Sequence, residues 1–491
     1  MTSHASSDEL LSRTAAFAKR RGVSLYVVGG FLRDTLLRRS VAALNLDFAV
    51  QTQALELAQA LARHLRGSYV CLDEATSTGR VVIAEADARL ELDIANFRGR
   101  TIEEDLAKRD FTINALALPL DRWTPDPAQW TGQLLDPTGG RHDLARKRLR
   151  ACFAGAFTDD PLRILRAFRF AAELNLELDA ALPAQIAPAV PRLSDVSGER
   201  VRDELFAVFR TTRAHWAVRQ LNALGVVDVI FPEIAVGRGI EQGDYHHLDV
   251  LGHELETLAQ CDRMLAGFEE FAEPLRAPLA DYCRRMPVDR RPMGALIKLA
   301  GLHHDVGKPA TRRVKPDGDV WFLGHEHFGS TLVESVVERL RLSNQEGRTL
   351  TLLVEHHLRP GFLSREPQLT RRAVFRFFRD LGDDGPACLL LWWADRLATR
   401  GPKSNTAQIP DQRARLEELL RAYFFKPEEA VRPPKLIDGH ELMQALGVPP
   451  GPLVGQLLRA IEETQAEGKL RSKDEAVALA QLLLAGRKTD T

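Results

Sequence analysis

One ordered set of motifs constrains this chain more than any other: Val27-Val28-Gly29-Gly30-Phe31-Leu32-Arg33-Asp34, then Asn45-Leu46-Asp47, and later Lys108-Arg109-Asp110-Phe111-Thr112-Ile113-Asn114-Ala115. The first predicts a strand, a Gly-Gly turn and a helix start; the second predicts a strand carrying an acid of the kind that holds metals. A turn without Cβ atoms lets backbone N–H groups approach a polyphosphate closely, and the helix start after it favours negative charge. Side chains two apart on a strand share a face, so Asn45 and Asp47 project together, and Asp93 on a later strand is placed to complete the cluster. The order of these motifs implies nucleotide chemistry.

Around them the predicted elements alternate. A polar helix runs to about residue 21, a strand covers 25–28, a helix starts at Phe31, and a strand covers 46–50; a helix near 54–65 precedes strands near 80–84 and 90–94. From Pro161 onward strand signals nearly vanish and apolar-periodic helices dominate, with breaks at Pro183, Pro191 and Pro232. The fold class expected is α+β, a small mixed α/β head followed by mostly helical segments. At 491 residues the chain exceeds a single core. Residues 273–293 and 401–434, rich in proline, read as linkers or insertions.

The formal net charge is −1, so any binding of nucleic acid must come from a local basic surface rather than from the field of the whole chain. Five scattered cysteines without C-x-x-C spacing read as free thiols that fill cores in a reducing compartment. No apolar signal region and no long uncharged apolar run is present, so a cytoplasmic protein without a membrane span is expected.

The Gly-Gly-x-x-Arg-Asp turn, the Asn45/Asp47 pair and the Arg-Asp-Phe-Thr-x-Asn-Ala block together resemble the class II tRNA nucleotidyltransferase and bacterial poly(A) polymerase family. The likeness continues through Asp136-Pro137-Thr138-Gly139-Gly140 and Asp159-Asp160-Pro161-Leu162-Arg163-Ile164-Leu165-Arg166. The resemblance implies that Asn45, Asp47 and Asp93 stand where the family's head acids hold Mg2+. It implies that Gly29, Gly30, Arg33, Arg109, Asp110 and Asn114 surround triphosphate and ribose, and that Asp160, Arg163 and Arg166 read the base edge of CTP or ATP. The implied reaction is addition of C and/or A to the tRNA 3′ end with release of pyrophosphate. Glu199 and Arg202 either brace that base pocket or form charged pairs on a solvated helix.

The sequence departs from the family pattern at Asn45, where a carboxylate is usual. An amide keeps a carbonyl oxygen but removes a full charge. Two outcomes follow: Asp47 and Asp93 carry a slower transferase, or the head binds nucleotide or tRNA without adding to it. A poly(A) polymerase is a further alternative within the class.

A second constellation follows. His253, His304-Asp305, His325, His356 and Asp395 occur in the order of an HD-type metal phosphohydrolase domain, with His303, His327 and His357 as neighbouring alternatives. Imidazoles with carboxylates suit Mn, Ni, Co, Fe or Zn, and hydrolysis of a phosphate ester is implied. Lys315-Pro316-Asp317-Gly318 predicts a turn within a small hairpin ahead of His325. The expected organisation is a head over 1–155, a helical neck over 156–235, an HD domain over 236–410 and a helical tail over 411–491, which in the family contacts tRNA.

Overall fold

Alternating apolar and polar residues build the sheet that carries the first set of motifs. The chain is described by a computed structural model over residues 7–39, 45–85, 88–286, 291–431 and 433–488. It divides into two compact units, Met1–Val196 and Ser197–Thr491.

In the first unit the elements run α1 (Ser7–Arg20), β1 (Leu25–Val28), α2 (Gly30–Leu36), β2 (Asn45–Val50), α3 (Ala54–Leu65), β3 (Ser68–Asp73), β4 (Thr78–Glu85), β5 (Ala88–Asn96), α4 (Ile102–Ala107) and β6 (Ala117–Pro119). The sheet order is β3-β4-β5-β2-β1-β6. Within this sheet, among the described residues, only β2 and β5 pair in parallel, in the register Asn45↔Glu91, Asp47↔Asp93. Leu46 and Phe48 of β2, Leu92 and Ile94 of β5 and Val81 of β4 are fully buried. Gly79 sits on the same face, close under α3: a Cβ there would lie 2.9 Å from that of Ala58, so a larger residue would push the helix off the sheet. The opposite face is polar and presents Asn45, Asp47, Arg80, Glu91 and Asp93.

The expected elements from 7 to 96 are all present, with β3 added among them and β6 beyond them. Strand β3 is an edge strand with Val70 and Leu72 exposed, and β6 has only three residues. An exposed edge has no apolar alternation to read. The predicted linkers are largely helical instead: Glu273–Arg284 accommodates Pro278, and Ile409–Phe425 carries Pro410 in its first turn. There the missing N–H costs nothing. Residues 287–290 lie outside the described residues. Cysteine as core filling holds for Cys261, Cys283 and Cys388, whereas Cys71 is exposed on β3.

The second unit is helical apart from the expected hairpin, Arg313–Val314 against Val320–Trp321, with Gly318 at φ 88°. Helices Val250–Leu265, Met293–Gly301 and Gly385–Ala398 form its centre, and each is buried along most of its length. The helices Gly439–Leu446, Pro452–Ala466 and Lys473–Lys488 share a smaller core around Leu442, Leu457, Ile461 and Ala480. Glu463 ties them to helix Arg371–Leu381, accepting from Arg372 at 2.7 Å and Arg379 at 2.8 Å. No described helix is long and apolar enough to cross a membrane.

Candidate active sites

In the head, the acid, the glycine turn and a basic side chain meet. Gly29 lies at φ 78°, ψ −139°, a backbone region that side chains with a Cβ avoid. A Cβ at Gly29 would lie 3.4 Å from Asp47 Oδ2 and 3.5 Å from Arg109 Nη1. Burial pushes the Asp47 carboxyl up to about 6, with Arg109 opposing and Asp93 adding to the rise. Arg109, itself held by Asp105, offsets the rise only in part, so a cation beside Asp47 would be favoured. Asp93 lies directly across the ladder but is gripped by Arg80, whose Nε and Nη2 donate to it at 2.7 and 2.8 Å. Asn45 shares the face and is exposed. Hard carboxylate oxygens at these positions fit Mg2+.

The arginines and amide of the motifs form a buried network. Arg33 donates to Asn114 Oδ1 at 2.6 Å and to Asp34, and its guanidinium stacks over Phe170. Asn114 Nδ2 donates to Asp110, which also accepts from the Phe111 N–H and from Arg166 at 2.7 and 3.0 Å. Burial alone would raise the Asp110 carboxyl, but Arg166 and these donors hold it at about 2. Thus Arg166, on helix Arg163–Leu174, is bound to the head motif and fixes that helix beside it. Arg109 is held by Asp105 at 2.9 Å. Asp160 Oδ1 caps its own turn at the Leu162 N–H, and Arg163 donates to the Ala156 carbonyl and pairs with Asp159. Arg202 donates to the Arg341 carbonyl within the second unit, and Glu199 is exposed.

In the second unit two triads of ligand atoms converge, each within 4.8 Å: His253, His304 and Asp395, and Asp305, His325 and His357. Asp305 connects them. Its Oδ2 lies 3.2 Å from His304 Nε2 and 3.5 Å from His253 Nε2, while its Oδ1 lies 3.2 Å from His325 Nε2 and 3.6 Å from His357 Nε2. The Nδ1–H of His304, His325 and His357 donates to the carbonyls of Gly301, Phe322 and Val354, which fixes the tautomer and turns each Nε2 inward.

His357 replaces His356 in this set. Adjacent helical residues point about 100° apart, so only one can face the cluster, and His356 is half-buried at the end of helix Asn344–His356, outside both triads. Burial, reinforced by His304 and His325, pushes His357 down to about 3, so it is neutral, as a ligand must be. Burial likewise lowers His253. Burial also opposes charge on Asp305 and Asp395, yet His304 and Lys308 for the one, and His253 and His304 for the other, hold both well below the usual carboxylate range. The buried His304 Nε2 makes no well-directed hydrogen bond among the described residues, although Asp305 Oδ2 lies 3.2 Å away. Burial opposes charge on His304, yet Asp305 and Asp395 raise it well above the usual imidazole range, so it carries a proton that a metal ion would displace. Imidazoles with ionised carboxylates fit divalent transition-metal ions. Sequence reasoning missed Lys308, which lies 2.6 Å from Asp305, and His246, whose ring packs on His253. Lys308 follows Asp305 by one helical turn, which was a readable signal; His246 had none, being held there by a loop.

A six-stranded head with a carboxylate and glycine turn, joined to a helical unit with a histidine–carboxylate centre, defines a nucleotidyltransferase architecture with an HD domain. The chain matches the poly A polymerase head domain over residues 25–150 and the HD domain over 277–399. It also matches tRNA nucleotidyltransferase domain 2 over 412–480. His253 lies ahead of the HD match and is brought in by the fold. The chain is 35% identical to the A-adding tRNA nucleotidyltransferase of Deinococcus radiodurans, over 93% of this chain and 94% of that one. It is 32% identical to the CC-adding tRNA nucleotidyltransferase of Geobacter sulfurreducens, over 95% and 94%. Among solved structures, a CCA-adding enzyme in complex with ATP has the same fold, with TM-score 0.63 and 21% identity over 97% of this chain and 95% of that one. The chain belongs to the tRNA nucleotidyltransferase family.

Proposed function

We propose that this chain adds C and/or A from CTP or ATP to the 3′ end of tRNA in the cytoplasm, and that its HD centre hydrolyses phosphate esters. The observation that carries the first part is the meeting of Asp47, Arg109 and the Gly29 turn at one point of the head. The terminal ribose hydroxyl of the RNA attacks the α-phosphate of the nucleotide, and pyrophosphate leaves. Asp47 and Asp93 would hold Mg2+, which supplies charge stabilisation to the transferring phosphate when bound. The turn at Gly29–Gly30 and Arg109 orient the triphosphate. Asp160 and Arg163 present acceptor and donor groups to the base edge. The buried link from Arg33 through Asn114 and Asp110 to Arg166 keeps base reader and phosphate site in fixed relation. In the second unit, His253, His304, Asp305, His325, His357 and Asp395 would hold Mn, Ni, Co or Fe, with Lys308 placed to neutralise a phosphate oxygen. The tail helices contact the RNA body.

The two relatives differ in the nucleotide that their names assign, so the product decides between them. Incubation of the purified chain with tRNA lacking its tail, Mg2+ and labelled CTP or ATP, followed by sequencing of the product, is expected to return added C or A residues. A long A tract would make it a poly(A) polymerase. Asn45 and the fully assembled triads favour a second reading, in which the HD hydrolase is the main activity and the head holds RNA. Incorporation by Asn45→Asp but none by the natural chain would favour that reading. No incorporation by either would overturn the transferase.

A further inference from the structure

The polar face of the head sheet carries a four-position grid, Asn45 and Asp47 on β2 beside Glu91 and Asp93 on β5, in parallel register. Neighbouring strands stand about 4.8 Å apart, whereas positions two apart along a strand are separated by roughly 6.7 Å. Glu91 therefore starts closer to Asn45 than Asp47 does, and its extra methylene lengthens its reach. Glu91 is 7% exposed although it is a glutamate on a polar face. A buried carboxylate has to be matched by a cation. The cation here is Arg80, whose Nη1 lies 2.5 Å from Glu91 Oε2 while its other nitrogens hold Asp93. Arg80 faces Asp93 across the β4–β5 ladder, so one guanidinium keeps both β5 acids on the face that carries Asp47.

Charge counting gives the same result. An Asp-x-Asp pair offers two negative charges. Asn45 and Asp47 offer one, but Asp47, Asp93 and Glu91 with Arg80 leave two.

We propose that Glu91 supplies, from the neighbouring strand, the carboxylate that Asn45 lacks, and that Arg80 positions it for the divalent cation of the head. The inference rests on the transferase reading above. Glu91 is thus a cation-holding residue, and Arg80 a positioning residue whose loss acts through it.

The test uses the full-length protein with Mn2+ and a non-reacting CTP analogue, reading the 31P coupling to Mn2+ by electron–nuclear resonance. That signal arises only from an ion at the nucleotide phosphates, and it is read with Asp305→Asn in every chain compared so that the HD centre contributes none. Glu91→Gln is expected to weaken this Mn2+ by at least about tenfold. Asn45→Asp in the same chain is expected to restore it, and Asn45→Asp alone to tighten it. Unchanged Mn2+ affinity in Glu91→Gln would overturn the proposal while leaving the transferase reading intact. Loss in Glu91→Gln that Asn45→Asp does not restore would also overturn it, by showing that Glu91 only braces Arg80. No phosphate-coupled Mn2+ in either the natural chain or Asn45→Asp would remove the transferase reading itself.

Discussion

The two centres of this protein are built on opposite plans. In the helical unit, six ligand atoms already converge as two triads, with the tautomers of His304, His325 and His357 set by backbone carbonyls and the charges balanced among the six residues. In the head, Asp47 is half-buried and only partly offset by Arg109, Asp93 is occupied by Arg80, and the position of a further acid is an amide. A preassembled site binds its ions without its substrate, because orienting the ligands costs little further entropy. A sparse site of carboxylates needs the substrate's phosphates to finish the coordination shell. The helical centre should thus behave as a resident metal site, and the head as one completed by nucleotide.

The sharpest way to break this contrast is to remove each keystone separately. Asp47→Asn should reduce nucleotide incorporation by about a thousandfold or more, the scale of losing a charge that stabilises phosphoryl transfer, while metal content measured by mass spectrometry stays unchanged. Asp305→Asn should do the reverse, lowering tightly held metal and phosphatase rate by about a hundredfold and leaving incorporation intact. If Asp305→Asn also abolished incorporation, the centres would not be independent. A finer comparison sets His357→Ala against His356→Ala: the first should lose metal by about tenfold or more and the second should keep it.

A smaller effect concerns pH. The Asp47 carboxyl, raised to about 6, becomes protonated as pH falls through that value and then no longer attracts a cation. Incorporation at limiting Mg2+ should thus fall by about tenfold per unit below pH 6, and saturating Mg2+ should shift the decline to lower pH, since ion and proton compete. A profile unaffected by Mg2+ would place the titration elsewhere. The smallest expected effect is on stability. Gly29→Ala forces a Cβ into a backbone region it disfavours, costing about 1–3 kcal/mol, which thermal unfolding would register.

Much of the head was legible because its residues act locally. The Gly-Gly turn, the acid on β2 and the Arg-Asp-Phe-Thr block each carry their geometry within a few positions, and the buried alternation of β2 and β5 is visible as period-two apolarity. Glu91 and Arg80 were not legible, because their meaning lies in register: nothing in the segment around 80 or 91 says which residue stands opposite. The HD histidines were legible as an ordered series, but the choice between His356 and His357 depends on the helix rotation that the C-terminal end of Asn344–His356 imposes. Proline misled at residues 273–293 and 401–434, since Pro274 and Pro410 sit in a helix's first turn and Pro278 is accommodated inside its helix.

By itself the sequence determined the chemistry available: a glycine turn beside an acid, an Asp-Pro helix start with recurring arginines, and histidines with carboxylates in sufficient number for two ions. Those are properties of residue type and short spacing, which survive without knowing the fold. Only the tertiary structure decided which of them face each other. It placed Asp305 with one oxygen toward each triad, chose His357, and set Glu91 across from Asn45, because distances between side chains far apart in the chain are fixed by strand register and helix packing.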